Sequence, residues 1–159
     1  MKKVALVIGI DTYEHCEDLN GCESDAVSIA SLLRNNFDGS ANYHCDVLHS
    51  GEGIVSEDII TTKLRYHFNN PVDELLIYFS GHGDASLTKG YLMAQNSSQK
   101  DKRIELNDIM LLAKERKPKM VSIIIDACYS GNIGDESYNK KHLVLPKNTS
   151  ILASSSRRE

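Results

Sequence analysis

Two patterns of apolar residues alternate along the chain. Val4-Ala5-Leu6-Val7-Ile8, Leu75-Leu76-Ile77-Tyr78-Phe79 and Val121-Ser122-Ile123-Ile124-Ile125 are short, nearly continuous runs. They predict strands covered on both faces, with the Val121 strand central. Tyr43, Cys45 and Val47 alternate with polar residues, which predicts a strand towards the sheet edge, and Thr149 to Ala153 predicts a fifth, short strand. The second pattern is helical. Ala26, Ile29, Ala30 and Leu33 repeat at helical spacing behind Ser24 and Asp25. Ile60, Leu64 and Phe68 line one face of a second helix, capped by Ser56 and broken by Pro71. Ile109, Leu112 and Ala113 face inward on a third, capped by Asn107 and stopped before Pro118. Leu87 to Ala94 suggests a small hairpin, whereas Thr12 to Cys22, Asn96 to Arg103 and Tyr129 to Asn148 read as loops. Strands alternating with helices predict βαβ units: a three-layer α/β fold, its sheet mostly parallel, with helices on both faces.

Composition narrows the possibilities. A chain of 159 residues with 41% hydrophobic and 25% charged residues suits one soluble domain spanning residues 1–159. A net charge of −4 without a basic stripe argues against a nucleic-acid partner. The apolar stretch Val4 to Ile10 is far too short to span a membrane, and Asp11 and Glu14 follow at once. Cys16, Cys22, Cys45 and Cys128 show neither zinc-site nor disulfide-framework spacing, which fits a reducing cytoplasm. No metal or cofactor is implied, and no glycine-rich loop that would cradle a nucleotide opens the first helix.

Candidate chemistry stands at the carboxyl ends of two buried strands. The Leu75 strand runs into Ser80-Gly81-His82-Gly83, and the Val121 strand into Asp126-Ala127-Cys128-Tyr129-Ser130-Gly131. Taken singly, Cys128 reads equally as a small buried hydrophobe, and His82 as a loop histidine without a task. In a parallel sheet both strand ends emerge on one edge, so imidazole and thiol can share a crevice, as thiol catalysis requires. Main-chain N–H groups of Gly83 and Cys128 are candidate oxyanion donors.

These motifs resemble those of caspase-like cysteine peptidases, nearer metacaspases and bacterial caspase homologues than animal caspases. The matching stretches are Val4 to Ile10, Leu19 to Ala26, Tyr78 to Gly83 and Asp126 to Gly131, in family order. The resemblance implies Cys128 as nucleophile and His82 as the partner that protonates the leaving amine. It implies Asp126 at the base of the S1 pocket, with Cys22, Asp25 and Ser80 around it. An acidic pocket favours substrate Arg or Lys. The implied activity is endopeptidase cleavage of protein substrates after Arg or Lys, within a signalling, cell-death or defence system. The competing reading is a non-catalytic caspase-fold module that recruits partners in an assembly.

Two departures from the family pattern matter. Many metacaspases bind activating calcium through an aspartate cluster, but here only Asp84, Asp135 and Glu136 are nearby acids. Those are too few for the roughly six to eight oxygen ligands calcium takes, so no metal is expected. The family's sheet also continues past the fifth strand into a small subunit. This chain is therefore expected to be a large-subunit portion, partnered by a C-terminal small subunit or further domains. Lys140, Lys141, Lys147, Arg157 and Arg158 are candidate self-cleavage points.

Overall fold

The computed structural model describes residues 1–86, 89–98, 100–127 and 145–154. Five parallel strands form the main sheet: β1 (Lys3–Gly9), β2 (Tyr43–His49), β3 (Glu74–Ser80), β7 (Met120–Asp126) and β8 (Thr149–Ala153), in the order β2-β1-β3-β7-β8. Helices α1 (Cys22–Arg34), α2 (Glu57–Asn69) and α3 (Leu106–Lys114) cover it. A small antiparallel sheet, β4 (Gly83–Ala85), β5 (Gly90–Met93) and β6 (Arg103–Glu105), follows the end of β3 after the two residues Gly81 and His82. This is the mostly parallel α/β sheet, with helices on both faces, that the apolar runs predict. Among the described residues no helix is long and apolar enough to cross a membrane.

Strand alternation divides the core. Leu6 and Ile8, Ile77 and Phe79, and Ile123 and Ile125 turn one way, onto Ile60, Leu64 and Phe68 of α2 and Ile109 and Ala113 of α3. Ala5, Val7, Leu76 and Tyr78 turn the other way, onto Ala26 and Ala30 of α1. Burying each large aliphatic side chain contributes about 1.5–3 kcal/mol. β1 and β3 are therefore covered on both faces.

β7 is not, which corrects the sequence expectation. The middle strand is β3, and on β7 only Val121, Ile123 and Ile125 are buried while Met120 and Asp126 are exposed. α1 packs mainly on β1, β2 and β3, so the second face of this apolar run is only partly covered: Ser122 and Ile124 are half-buried, with Ile124 at the rim of the α1 cluster. Leu152 on the edge strand β8 is 65% exposed.

Helix starts differ from expectation for local reasons. Ser56 does cap α2, accepting the Ile59 N–H at 3.4 Å. α3 begins at Leu106, not behind an Asn107 cap, because β6 runs directly into it. α1 begins at Cys22, before Ser24 and Asp25, and its cap residue Gly21 has no side chain to offer. The hairpin begins at Gly83, earlier than Leu87, and residues 87 and 88 lie outside the described set. There the Arg103 guanidinium pairs with Asp84 at 2.7 Å and stacks over the Tyr91 ring at 4.0 Å.

Strand register fixes the carboxyl edge. Gly9 is level with His49 and Ser80, and Ser80 with Asp126. α1 begins directly against Gly9. A methyl there would collide with the Cys22 carbonyl oxygen and come within 2.7 Å of Ala26 Cβ. Both obstacles are main chain or helix core, so they cannot swing aside. Gly9→Ala is therefore expected to destabilise the protein by about 3 kcal/mol. A lowered urea midpoint with unchanged slope checks this; a change below about 0.5 kcal/mol would show that α1 does not rest on Gly9.

Candidate active site

The site is built at this edge, and Asp11 sets its first part. Its carboxylate accepts main-chain N–H groups of Gly21, Cys22 and Glu23 at 3.3, 2.8 and 3.2 Å. Asp11 thus caps α1 from ten residues upstream, where negative charge meets the helix N-terminus favourably. Burial pushes its carboxyl up, but the three N–H groups outweigh that and hold it below the ordinary aspartate value. The cap presents Cys22 and Asp25 from the first turn of α1 to the strand ends.

Cys22, Asp25, Ser80 and Asp126 line one cleft of about 420 Å³, together with Leu19, Asn20, Gly21, Gly81, Ala127 and Ser154. Among the described residues no cationic side chain lines it. Among the described residues neither Asp25 nor Asp126 is ion-paired, whereas Asp46, Asp73, Asp84, Glu74 and Glu105 each hold a Lys or Arg. Burial pushes the Cys22 thiol up; hydrogen bonding to Ser80 opposes this, and Asp11 and Asp25 add to it. Cys22 therefore stays a neutral thiol at neutral pH, and the charge of the cleft is that of its two aspartates. Among the described residues no cluster of three or more His, Cys, Asp or Glu side chains is arranged to hold a metal ion.

His82 stands one residue beyond Gly81. Its ring Nε2 lies 2.8 Å from the Glu17 carbonyl oxygen. A carbonyl only accepts, so Nε2 carries the proton and Nδ1 is the basic nitrogen of the neutral ring. The His82 N–H donates to the Tyr13 hydroxyl at 2.8 Å, and the two rings lie 4.7 Å apart at 53°. The Met93 N–H donates to the His82 carbonyl at 3.0 Å. Gly83 and Leu92 therefore face each other as a non-hydrogen-bonded pair. The Gly83 N–H is turned away from β5 and meets no acceptor among the described residues. Cys128 lies outside the described residues, as do 129–144.

Sequence reasoning passed over Asp11, Tyr13 and the Glu17 carbonyl. Asp11 was legible only as the end of a strand, and Tyr13 is a lone aromatic in a polar loop. A main-chain carbonyl has no sequence signature.

The sequence pattern of the caspase domain matches residues 2–159. The chain belongs to the caspase domain family, a family of peptidases. Fifty-six chains of solved structures match. One is the crystal structure of a protein from Geobacter sulfurreducens, 17% identical, with a TM-score of 0.60 over 87% of this caspase domain and 55% of that chain. At that identity the likeness concerns the fold, and this chain spans little more than half of the Geobacter protein. A search of curated proteins gave no match.

The depressed Asp11 carboxyl makes the cap pH-dependent. A group held below its unfolded value contributes stability above that value, about 3.9, and loses it as pH falls through the folded value. Asp11→Asn is expected to cost about 1 kcal/mol at pH 7. The gap to wild type should close as pH drops below about 4. Urea unfolding at stepped pH measures it, and a gap independent of pH would mean that the charge on Asp11 plays no part.

Proposed function

We propose that this caspase domain is a cysteine endopeptidase that cleaves protein substrates after Arg or Lys. The observation that carries this reading is the cleft in which Asp25 and Asp126, both without an ion-pair partner among the described residues, stand beside Cys22, Ser80 and Gly81, the last adjacent in sequence to His82. Two unpaired carboxylates repel each other and are relieved by a cation. A guanidinium or ammonium entering the cleft gains charge-assisted hydrogen bonds, while a substrate aspartate meets like charge.

In this mechanism the Cys128 thiolate attacks the scissile carbonyl carbon, and the carbonyl electron pair moves onto oxygen. The N–H groups of Gly83 and Cys128 stabilise that oxyanion. The C–N bond then breaks, and the leaving amine takes a proton from the His82 imidazolium. Water, losing its proton to His82, hydrolyses the thioester and frees Cys128. Nε2 stays bonded to the Glu17 carbonyl throughout, so Nδ1 is the nitrogen that exchanges protons. Further strand pairing along β8, supplied by a C-terminal small subunit or further domain, completes the substrate groove in this reading; the position of β8 at the edge of the described sheet supports it. The free thiols of Cys16, Cys22 and Cys45 suit a reducing cytoplasm.

Peptide libraries varied at P1, with the full-length protein, test the assignment. P1 Arg and Lys peptides should be cut and P1 Asp peptides spared, and Cys128→Ala should abolish cleavage while leaving the fold intact. Asp126→Asn should lower kcat/KM for P1 Arg by about 10- to 100-fold, the value of a charge-assisted hydrogen bond. A preference for P1 Asp, or undiminished cleavage by Cys128→Ala, would refute the proposal.

A further inference from the structure

His82 is set in the two-residue step between β3 and β4, where neither sheet supplies a partner for its N–H. Tyr13 supplies it, and the surrounding sequence is shaped to let it. A methyl at Gly81 would lie 2.6 Å from the Tyr13 hydroxyl oxygen and 3.0 Å from the Phe79 ring, so only a bare α-carbon leaves the hydroxyl room to reach His82. The loop that carries Tyr13 is itself tied down. The Tyr13 N–H donates to the Asp18 carboxylate at 2.8 Å, the Glu14 N–H to the Gln95 carbonyl at 2.9 Å, and the Leu19 N–H to the Asp11 carbonyl at 2.7 Å. The Asp11 and Thr12 N–H groups both donate to the Ser50 hydroxyl, and Gln95 Nε2 donates to the Thr12 hydroxyl. One pinned loop thus brings a phenol to the main chain of His82 and the Glu17 carbonyl to its ring. Burial pushes the Tyr13 hydroxyl far above its ordinary value, so it remains a neutral phenol.

We propose that Tyr13 is a positioning residue for His82: its hydroxyl fixes the His82 main chain and its ring limits rotation of the imidazole, which together keep Nε2 on the Glu17 carbonyl. The proposal rests on the peptidase reading above for its catalytic consequence, but not for its structural one. A histidine that exchanges protons through Nδ1 must not turn over. The Glu17 carbonyl holds only the ring, and the Met93 N–H holds the main chain only at the His82 carbonyl. Tyr13 holds it at the His82 N–H as well.

Tyr13→Phe keeps the ring and removes the acceptor. In the full-length protein kcat on a peptidyl-arginine substrate should fall about tenfold with KM unchanged, because Tyr13 does not line the acidic cleft. Nitrogen-15 NMR of the histidine side chains gives a readout independent of activity. Wild type should show His82 as a single Nε2-protonated tautomer, and Tyr13→Phe a shift towards averaged nitrogens. Gly81→Ala, which drives a methyl into the same hydroxyl, should give the same imidazole signature and serves if Tyr13→Phe fails to fold. Tyr66→Phe, at an exposed tyrosine, should change neither readout. A wild-type imidazole pattern in both Tyr13→Phe and Gly81→Ala, or a rise in KM at unchanged kcat, overturns the proposal. If wild type neither cleaves the peptide nor is labelled at Cys128 by a peptidyl-arginine electrophile, the peptidase reading fails, and the NMR comparison still decides whether Tyr13 holds His82.

Discussion

The contact between the first turn of α1 and Gly9 is the constraint on which the cleft depends. A helix can lie this close to a strand end only where the strand offers no side chain, and its N-terminus can begin there only if its free N–H groups are satisfied. Gly9 meets the first condition and Asp11, two residues on, meets the second. Because β1, β3 and β7 are in register at Gly9, Ser80 and Asp126, the same contact sets Cys22 and Asp25 of the helix against Ser80 and Asp126 of the strands. A change of one residue in the register of β3 or β7 would turn Ser80 or Asp126 to the opposite face of the sheet, away from the helix.

Asp11 has a second consequence through its main chain. Its N–H and carbonyl anchor the two ends of the segment that holds Tyr13 and the Glu17 carbonyl against His82. One residue therefore orders both the acidic wall and the imidazole. The electrostatic design differs between the two. Carboxylates that serve the fold, Asp46, Asp73 and Asp84 among them, are paired with cations. Those in the cleft have no such partner among the described residues, and they sit at an exposed edge where water screens their repulsion.

Much of the fold was legible because burial on two faces leaves a continuous apolar run, as on β1 and β3. The same pattern misled at β7, where β-branched residues fill a strand whose second face is only partly covered; sequence periodicity does not report which helix lies over which strand. Helix faces were legible from Ala26, Ala30, Ile60, Leu64 and Phe68, but the start of α1 was not, because its cap is ten residues away. Within the site, the residues that stand out are those next to glycines at strand ends, His82 and Gly83 above all. Tyr13 and Glu17 act through a hydroxyl and a carbonyl placed by a loop without periodicity, and only the folded chain shows what they touch.

The central claim is that Asp25 and Asp126 receive a substrate cation while Cys128 attacks beside it. A crystal structure of the full-length protein with a peptidyl-arginine electrophile attached tests it most directly. The account predicts a covalent bond to Cys128 Sγ and the P1 guanidinium held between Asp25 and Asp126. A guanidinium lying outside the cleft, or an electrophile attached elsewhere than Cys128, would contradict it.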